Sequence, residues 1–162
     1  MVMKGGAFYD ELMRVPLVIR YPRRVAPRRS ELPCSLVDLM PTLLALTGQP
    51  IPKHAQGTDL SPWLLGQQTP GKAPQFSFGD ITHGHPEYRR AVEPGRRGAF
   101  MVRGQGYKYA RYANGVEWLF DLARDPLEMT NLASDPAYAD QRQVLSHRLD
   151  QWLEETHFPG VP

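Results

Sequence analysis

The residues in this 162-residue chain with the clearest chemical potential are few and scattered. Lys4 stands in a glycine-rich opening, Met-Val-Met-Lys4-Gly-Gly. By residue type alone it reads as a solvated lysine, although an ammonium, a compact positive charge with three donors, suits a tetrahedral oxyanion. His83 and His85, in Thr-His-Gly-His-Pro, are one residue apart, a spacing that can serve a metal or an anion, but no third ligand type lies close by. Arg89, Arg90, Arg96 and Arg97 flank a strand start and offer forks for an anionic group, or simply a charged rim. His54, His147 and His157 read as exposed. The single cysteine, Cys34, reads as a small half-buried residue entering a helix. Asp121, Asp125 and Glu128 make an acidic segment without the Asp-x-Asp-x-Asp-Gly pattern of a calcium loop, so turn capping is expected.

These groups need elements to hold them. Residues 14–21, with Val15, Leu17, Val18 and Ile19 nearly continuous, predict a strand buried on both faces. Such a strand requires neighbours that the rest of the sequence hardly supplies. Residues 38–47 predict a helix with Asp38 as cap, Pro41 in the first turn and Gly48 just beyond the end. Leu39, Met40, Leu43, Leu44 and Leu46 give it a wide apolar face. A short helix is expected from Ser61, as cap, and Pro62. Residues 67–74 read as a linker between residues 1–66 and 75–162.

Beyond the linker, Phe76–Ile81, Gly98–Arg103, Tyr107–Tyr112 and Glu117–Leu122 predict a small antiparallel sheet. Gly104-Gln-Gly106 and Asn114-Gly115 provide its turns. A helix over about 137–156 places Leu145, Leu149, Trp152 and Leu153 on one stripe that can lie on the sheet. Tyr107, Tyr109, Tyr112, Trp118 and Phe120 are expected to pack against that helix.

Nineteen basic and 17 acidic residues leave a net charge of +2, which gives no case for a nucleic-acid partner. No apolar run approaches the ~20 residues that span a bilayer. Hydrophobic residues make up 41%, enough for a core, and 16 prolines with 14 glycines imply many turns. The opening residues lack the apolar stretch of a signal peptide, which for a fragment says nothing of export. The compartment, periplasmic, secreted or cytoplasmic, stays open.

Five ordered pieces resemble the C-terminal part of the sulfatase family. They are Lys4-Gly-Gly-Ala-Phe-Tyr9-Asp10-Glu11 with Arg14-Val-Pro, and Asp38-Leu-Met-Pro41-Thr42-Leu. Then come Gly57-Thr-Asp-Leu60 and Tyr107-Lys108-Tyr109. Last is Leu119-Phe120-Asp121-Leu122 followed by Asp125-Pro126-Leu127-Glu128 and Asn131-Leu132. The family usually has glutamate where Asp10 stands, a position read as structural.

The resemblance implies an α/β fold of the alkaline-phosphatase-like superfamily, ending in a small antiparallel sheet packed by a C-terminal helix. Residues 1–66 would be the end of the large domain. It implies hydrolysis of a sulfate ester, on a small molecule or glycan, with a formylglycine nucleophile and a divalent metal, usually Ca2+. Cys34 does not fit the Cys/Ser-x-Pro-x-Arg modification motif, since Leu36 and Asp38 occupy the proline and arginine places. The formylglycine and the metal ligands would therefore lie upstream, in a missing N-terminal part of the same enzyme. By the resemblance, Lys4 is the catalytic and substrate-binding group here, with His83 and His85 as further substrate contacts and no metal ligand in the chain. The chain alone is expected to be inactive. Two alternatives stand beside this: a phosphonate monoester or phosphodiester hydrolase of the same superfamily, and a non-catalytic stand-alone module. The apolar segment 15–19 argues against the module.

Overall fold

The structure, a computed structural model, describes residues 7–67, 74–81, 98–112 and 114–157. They form two compact units, one of residues 16–77 and one of residues 1–15 with 78–162.

The second unit is built on a four-stranded sheet, in the order β1 (Phe76–Ile81), β2 (Ala99–Gly104), β3 (Tyr107–Tyr112) and β4 (Glu117–Asp121). β2–β3 and β3–β4 are antiparallel. The β2–β3 connection has Gln105 at φ 54° and Gly106 at φ 82°, the left-handed pair of a two-residue hairpin turn. In the β3–β4 connection, Gly115 sits at φ 82° and the Asn114 side chain accepts from Val116 N–H at 3.1 Å. Both turns fall where Gly104-Gln-Gly106 and Asn114-Gly115 predict them.

Helix α4 (Ala139–Glu155) covers one face of the sheet. Asp135 accepts from Ala137 N–H at 2.9 Å at its entry, before a short 3-10 turn. Leu145, Leu149 and Leu153 are buried along one stripe. Trp152 stacks on Phe78 with ring centroids 4.8 Å apart.

The aromatic residues do not all face that helix. Period-2 alternation puts Tyr107 and Tyr109 on its side, where Tyr109 O–H reaches Ser146 and Tyr107 meets Tyr138. Lys108, Ala110 and Tyr112, with Trp118 and Phe120 across the ladder, point the opposite way. That second face is closed by residues 8–13, ending in the short helix α1 (Asp10–Met13). Phe8 is fully buried among Ala99, Met101, Ala110 and Tyr112. Tyr9 lies 5.0 Å from the Trp118 ring. Residues 7–15 thus pack with the sheet, where the sequence reading groups them with 16–66. The sheet is a filled layer, apolar on both sides.

Residues 14–20 belong to no strand, contrary to the sequence expectation. Val18 is 88% exposed, with Val15 and Leu17 about half exposed. A strand exists only through pairing, and no described strand lies alongside this segment.

In the first unit, α2 (Leu39–Leu46) follows a 3-10 turn at Leu36–Asp38 and ends at Gly48, φ 72°. Its apolar residues are only partly covered. Pro41, Thr42 and Leu46 are buried, while Met40 and Leu43 are exposed. Asp38 does not cap α2 as expected. Its carboxylate turns back to Ser35 N–H and across to Thr58 N–H, both at 2.7 Å. Thr42 Oγ1 accepts from Leu60 N–H at 3.0 Å. The Gly57-Thr58-Asp59-Leu60 segment is thereby stitched to the entry of α2. In α3 (Ser61–Leu64), Asp59 accepts from Ser61 N–H at 2.8 Å, so the capping carboxylate lies two residues before the expected cap.

Gly57 shows why that stitching needs its residue types. A Cβ there would lie 2.1 Å from the Val37 carbonyl oxygen. Gly57→Ala is therefore expected to destabilise this unit by about 2–3 kcal/mol, as for an overpacked site with no flexible neighbour. A thermal melt reads it, and an unchanged midpoint would contradict the close approach.

Candidate functional site

Lys4, His83 and His85 lie outside the described residues, as do Arg89, Arg90, Arg96 and Arg97. The functional geometry that the structure does give is the seat of the segment that follows Lys4. It is made by Asp10, Lys108, Glu128 and Arg103.

Lys108 leaves β3 on the Phe8 side, on a face that is otherwise apolar. Its side chain is 1% exposed. An ammonium so placed needs each of its three N–H donors satisfied. One goes to the Phe8 carbonyl at 2.8 Å and one to the Asp10 carboxylate, while Glu128 Oε1 stands 2.5 Å from the ammonium as an ion-pair contact. Glu128, with its side chain 2% exposed, uses its other oxygen to accept Asp10 N–H at 2.6 Å. Arg103 Nη2 adds a contact to Asp10 Oδ2 at 3.3 Å. Two cations and two carboxylates thus balance. Burial by itself would raise the Asp10 carboxyl. The hydrogen bond and charge of Lys108, with those of Arg103, outweigh it and hold that carboxyl below the usual carboxylate range.

The remaining signature residues are also placed by the backbone groups they bind. Asp121 Oδ1 accepts from Ala123 and Arg124 N–H, and Asp125 Oδ2 accepts from Thr130 N–H. Asn131 Oδ1 accepts from Leu119 and Ala133 N–H, and its amide donates to Glu117 O. With Leu132 N–H donating to Leu119 O, it closes the outer edge of β4. Turn capping is therefore what Asp121 and Asp125 do, whereas Glu128 serves the buried cluster.

Among the described residues no group of three His, Cys, Asp or Glu side chains is placed to hold a metal ion. The acidic turn in particular is committed to N–H groups and to Lys108. Its residues do not fit a divalent cation. Cys34 is exposed, not half-buried as the sequence suggests; the desolvation its thiol retains, with the Asp38 charge, raises its pKa, the opposite of an activated nucleophile. No described helix is long and apolar enough to cross a membrane.

On the helix side, Tyr109 O–H donates to Glu117 Oε1 at 2.5 Å. Burial, then this carboxylate, push its phenol up to about 12. A pKa raised in the folded state means stability that is complete below the unfolded value of about 10. That stability is lost as pH rises from there through about 12. Alkaline unfolding should show a loss of roughly 2–3 kcal/mol over that window, about 1.4 kcal/mol per unit. Tyr109→Phe should remove that slope; an identical pH profile in the variant would refute it.

Lys108 was legible in Tyr-Lys-Tyr as a signature residue but not as a buried one. Strand alternation held the signal: it shares its face with Ala110 and Tyr112, and a lysine there requires carboxylates.

The same scaffold occurs in known proteins. A Δ4,5-hexuronate-2-O-sulfatase of Bacteroides thetaiotaomicron is 37% identical over 159 residues, covering 94% of this chain and 31% of the relative. A putative sulfatase of the same organism superposes with a TM-score of 0.77 at 31% identity, over 97% of this chain and 33% of that one. A phosphonate monoester hydrolase from Silicibacter pomeroyi does so with a TM-score of 0.79 at 28% identity, over 93% and 31%. The chain spans about a third of the length of these proteins. The sheet with its terminal helix is thus the C-terminal part of a sulfatase-type, alkaline-phosphatase-like hydrolase. The chain belongs to the family described as N-sulphoglucosamine sulphohydrolase, C-terminal, whose model matches residues 5–155.

Proposed function

We propose that residues 1–162 are the C-terminal part of a sulfatase that hydrolyses sulfate esters, on a sulfated sugar or a small aryl sulfate. The observation that carries this is the buried cluster. Asp10, Lys108 and Glu128 come from three separate signature stretches and meet at one point, so the family's pieces assemble as one scaffold. The relatedness to a hexuronate-2-O-sulfatase supports a glycan substrate.

In this reading the chain's own contribution to catalysis is Lys4, with His83 and His85 as further substrate contacts. The Lys4 ammonium would bind the sulfate oxygens and stabilise charge as the ester bond breaks. The formylglycine nucleophile and a divalent ion, Ca2+ by family, would be supplied by residues outside this chain and bring nucleophilic attack and polarisation of the sulfate. The 162 residues alone would then be inactive.

The test compares the intact enzyme with the isolated chain on an aryl sulfate and an aryl phosphonate. Sulfate release by the intact enzyme, and none by the chain, is expected. Multiple turnovers by the isolated chain would refute the division of labour. Faster cleavage of the phosphonate would favour the second reading, a phosphonate monoester hydrolase, to which the TM-score of 0.79 also lends support.

A further inference from the structure

We infer that the loop 22–29 is a binding site for a polyanionic glycan, with two arginine pairs that each grip one sulfate or carboxylate group. The choice of a glycan rests on the sulfatase reading above; the site itself does not.

The loop repeats one motif, Pro22-Arg23-Arg24 and Pro27-Arg28-Arg29. These four arginines and Arg20 are exposed. The near-zero balance of the whole chain hides where its charge sits. Residues 16–77 hold seven basic and three acidic residues, a net charge of +4, whereas the remainder holds 12 and 14, a net charge of −2. Of the three carboxylates, Asp38 and Asp59 are taken up by backbone N–H groups. Glu31 reaches Arg29 at 3.2 Å, with both side chains in water. Such an exposed pair is weak and yields readily to a better partner. Among the described residues Arg20, Arg23, Arg24 and Arg28 have no carboxylate partner.

The backbone is set for display. Val25 N–H donates to Tyr21 O at 2.9 Å and Arg24 N–H to the same oxygen at 3.2 Å, so residues 21–25 close a turn. Arg23 sits in it at φ 69°, a left-handed conformation that a side chain of its size adopts at a cost. The Arg24 guanidinium stands over the Tyr21 ring, 5.8 Å from its centroid, which narrows its rotamers. Pro22 and Pro27 fix φ immediately before each pair. Part of the ordering that a bound anion demands is thus already in place. The residue type names the ligand. A guanidinium meets sulfate or carboxylate oxygens with two parallel N–H bonds, where a lysine offers only a point charge, and all five cations are arginine. Two such pairs five positions apart suit a ligand that repeats its anionic groups along a chain. A nucleic-acid single strand needs open aromatic faces, and the loop's one ring, Tyr21, lies under Arg24.

The experiment measures binding of a heparin oligosaccharide to the 162-residue chain by calorimetry. Vesicles of phosphatidylserine and phosphatidylcholine, and a DNA duplex, are compared at equal anionic charge. Heparin is expected to bind the most tightly of the three. Arg23→Ser, Arg24→Ser, Arg28→Ser and Arg29→Ser together should weaken it by about three-fold or more, and so should the same four positions changed to lysine, which keep the charge and lose the fork. A smaller loss in either variant overturns the inference, and for the lysines it reduces the loop to unspecific charge. Vesicles or DNA bound as tightly as heparin overturn it too, in favour of a membrane or a nucleic acid. Should the serine variant fail to fold, the lysine variant decides. In the intact enzyme the serine variant should raise KM on a sulfated polysaccharide by about three-fold or more and leave an aryl sulfate, with its single anionic group, unaffected. An equal loss on the aryl sulfate overturns the inference. An intact enzyme that releases no sulfate, while heparin binding responds as expected, would sink the sulfatase reading alone.

Discussion

Lys108→Met is expected to destabilise the sheet unit by about 3–5 kcal/mol, the range for removing one partner of a buried ion cluster. The two carboxylates it leaves behind have no alternative. Glu128 is buried, and Asp10 keeps only Arg103, whose side chain is 35% exposed. Against a typical domain stability of 5–15 kcal/mol, the loss brings the unit close to unfolding at physiological temperature. Urea titration measures it. The physical cause is isolated by a second variant, Lys108→Met with Asp10→Asn and Glu128→Leu. That variant removes the stranded charges and is expected to recover most of the loss. A Lys108→Met chain within about 1 kcal/mol of the parent would show that the carboxylates reach water, as exposed ion pairs do.

The second large effect concerns rate. In the intact enzyme, Lys4→Ala is expected to lower kcat on an aryl sulfate by about 100- to 1000-fold, or roughly 3–4 kcal/mol, as when one donor to a developing oxyanion is removed. Lys4→Arg should recover only part of this, since a planar fork does not reproduce a point charge. Steady-state kinetics on a purified variant with an unaltered melt decide the matter. A kcat within about three-fold of the parent would assign Lys4 to the solvent.

The sheet, its two turns and the terminal helix were legible because each is local. Asn114-Gly115 and Gln105-Gly106 carry their turn geometry in their own residue types, and Leu145, Leu149 and Leu153 announce one helical face. What was not legible depends on distant partners. Phe8-Tyr9-Asp10 is too short for any periodicity, so nothing local says that it covers the second face of a sheet about 100 residues away. The same gap misassigned Tyr112, Trp118 and Phe120, which face that segment and not the helix. The run 14–21 has strand composition, but composition does not supply a pairing partner. Asp38 has cap chemistry, yet Thr58, twenty positions on, competes for its carboxylate. For the candidate site, Lys4, His83 and His85 were named from residue type and family pattern. The buried cluster of Asp10, Lys108 and Glu128 emerged only when three stretches were brought together in space.

That cluster also orders events during synthesis. Asp10 and Glu128 are 118 positions apart. At about 5–20 residues per second a ribosome needs roughly 6–24 s to travel between them. Phe8 and Tyr9 must wait that long with their rings in water or in the keeping of a chaperone. β2, β3 and β4 can zip together meanwhile, since their turns are local and hairpins form in about microseconds. The second face of the sheet is then the last surface to close. A ribosome that stalls before Glu128 would release a chain in which Asp10 N–H has lost its carboxylate acceptor and Lys108 one of its two ion-pair partners.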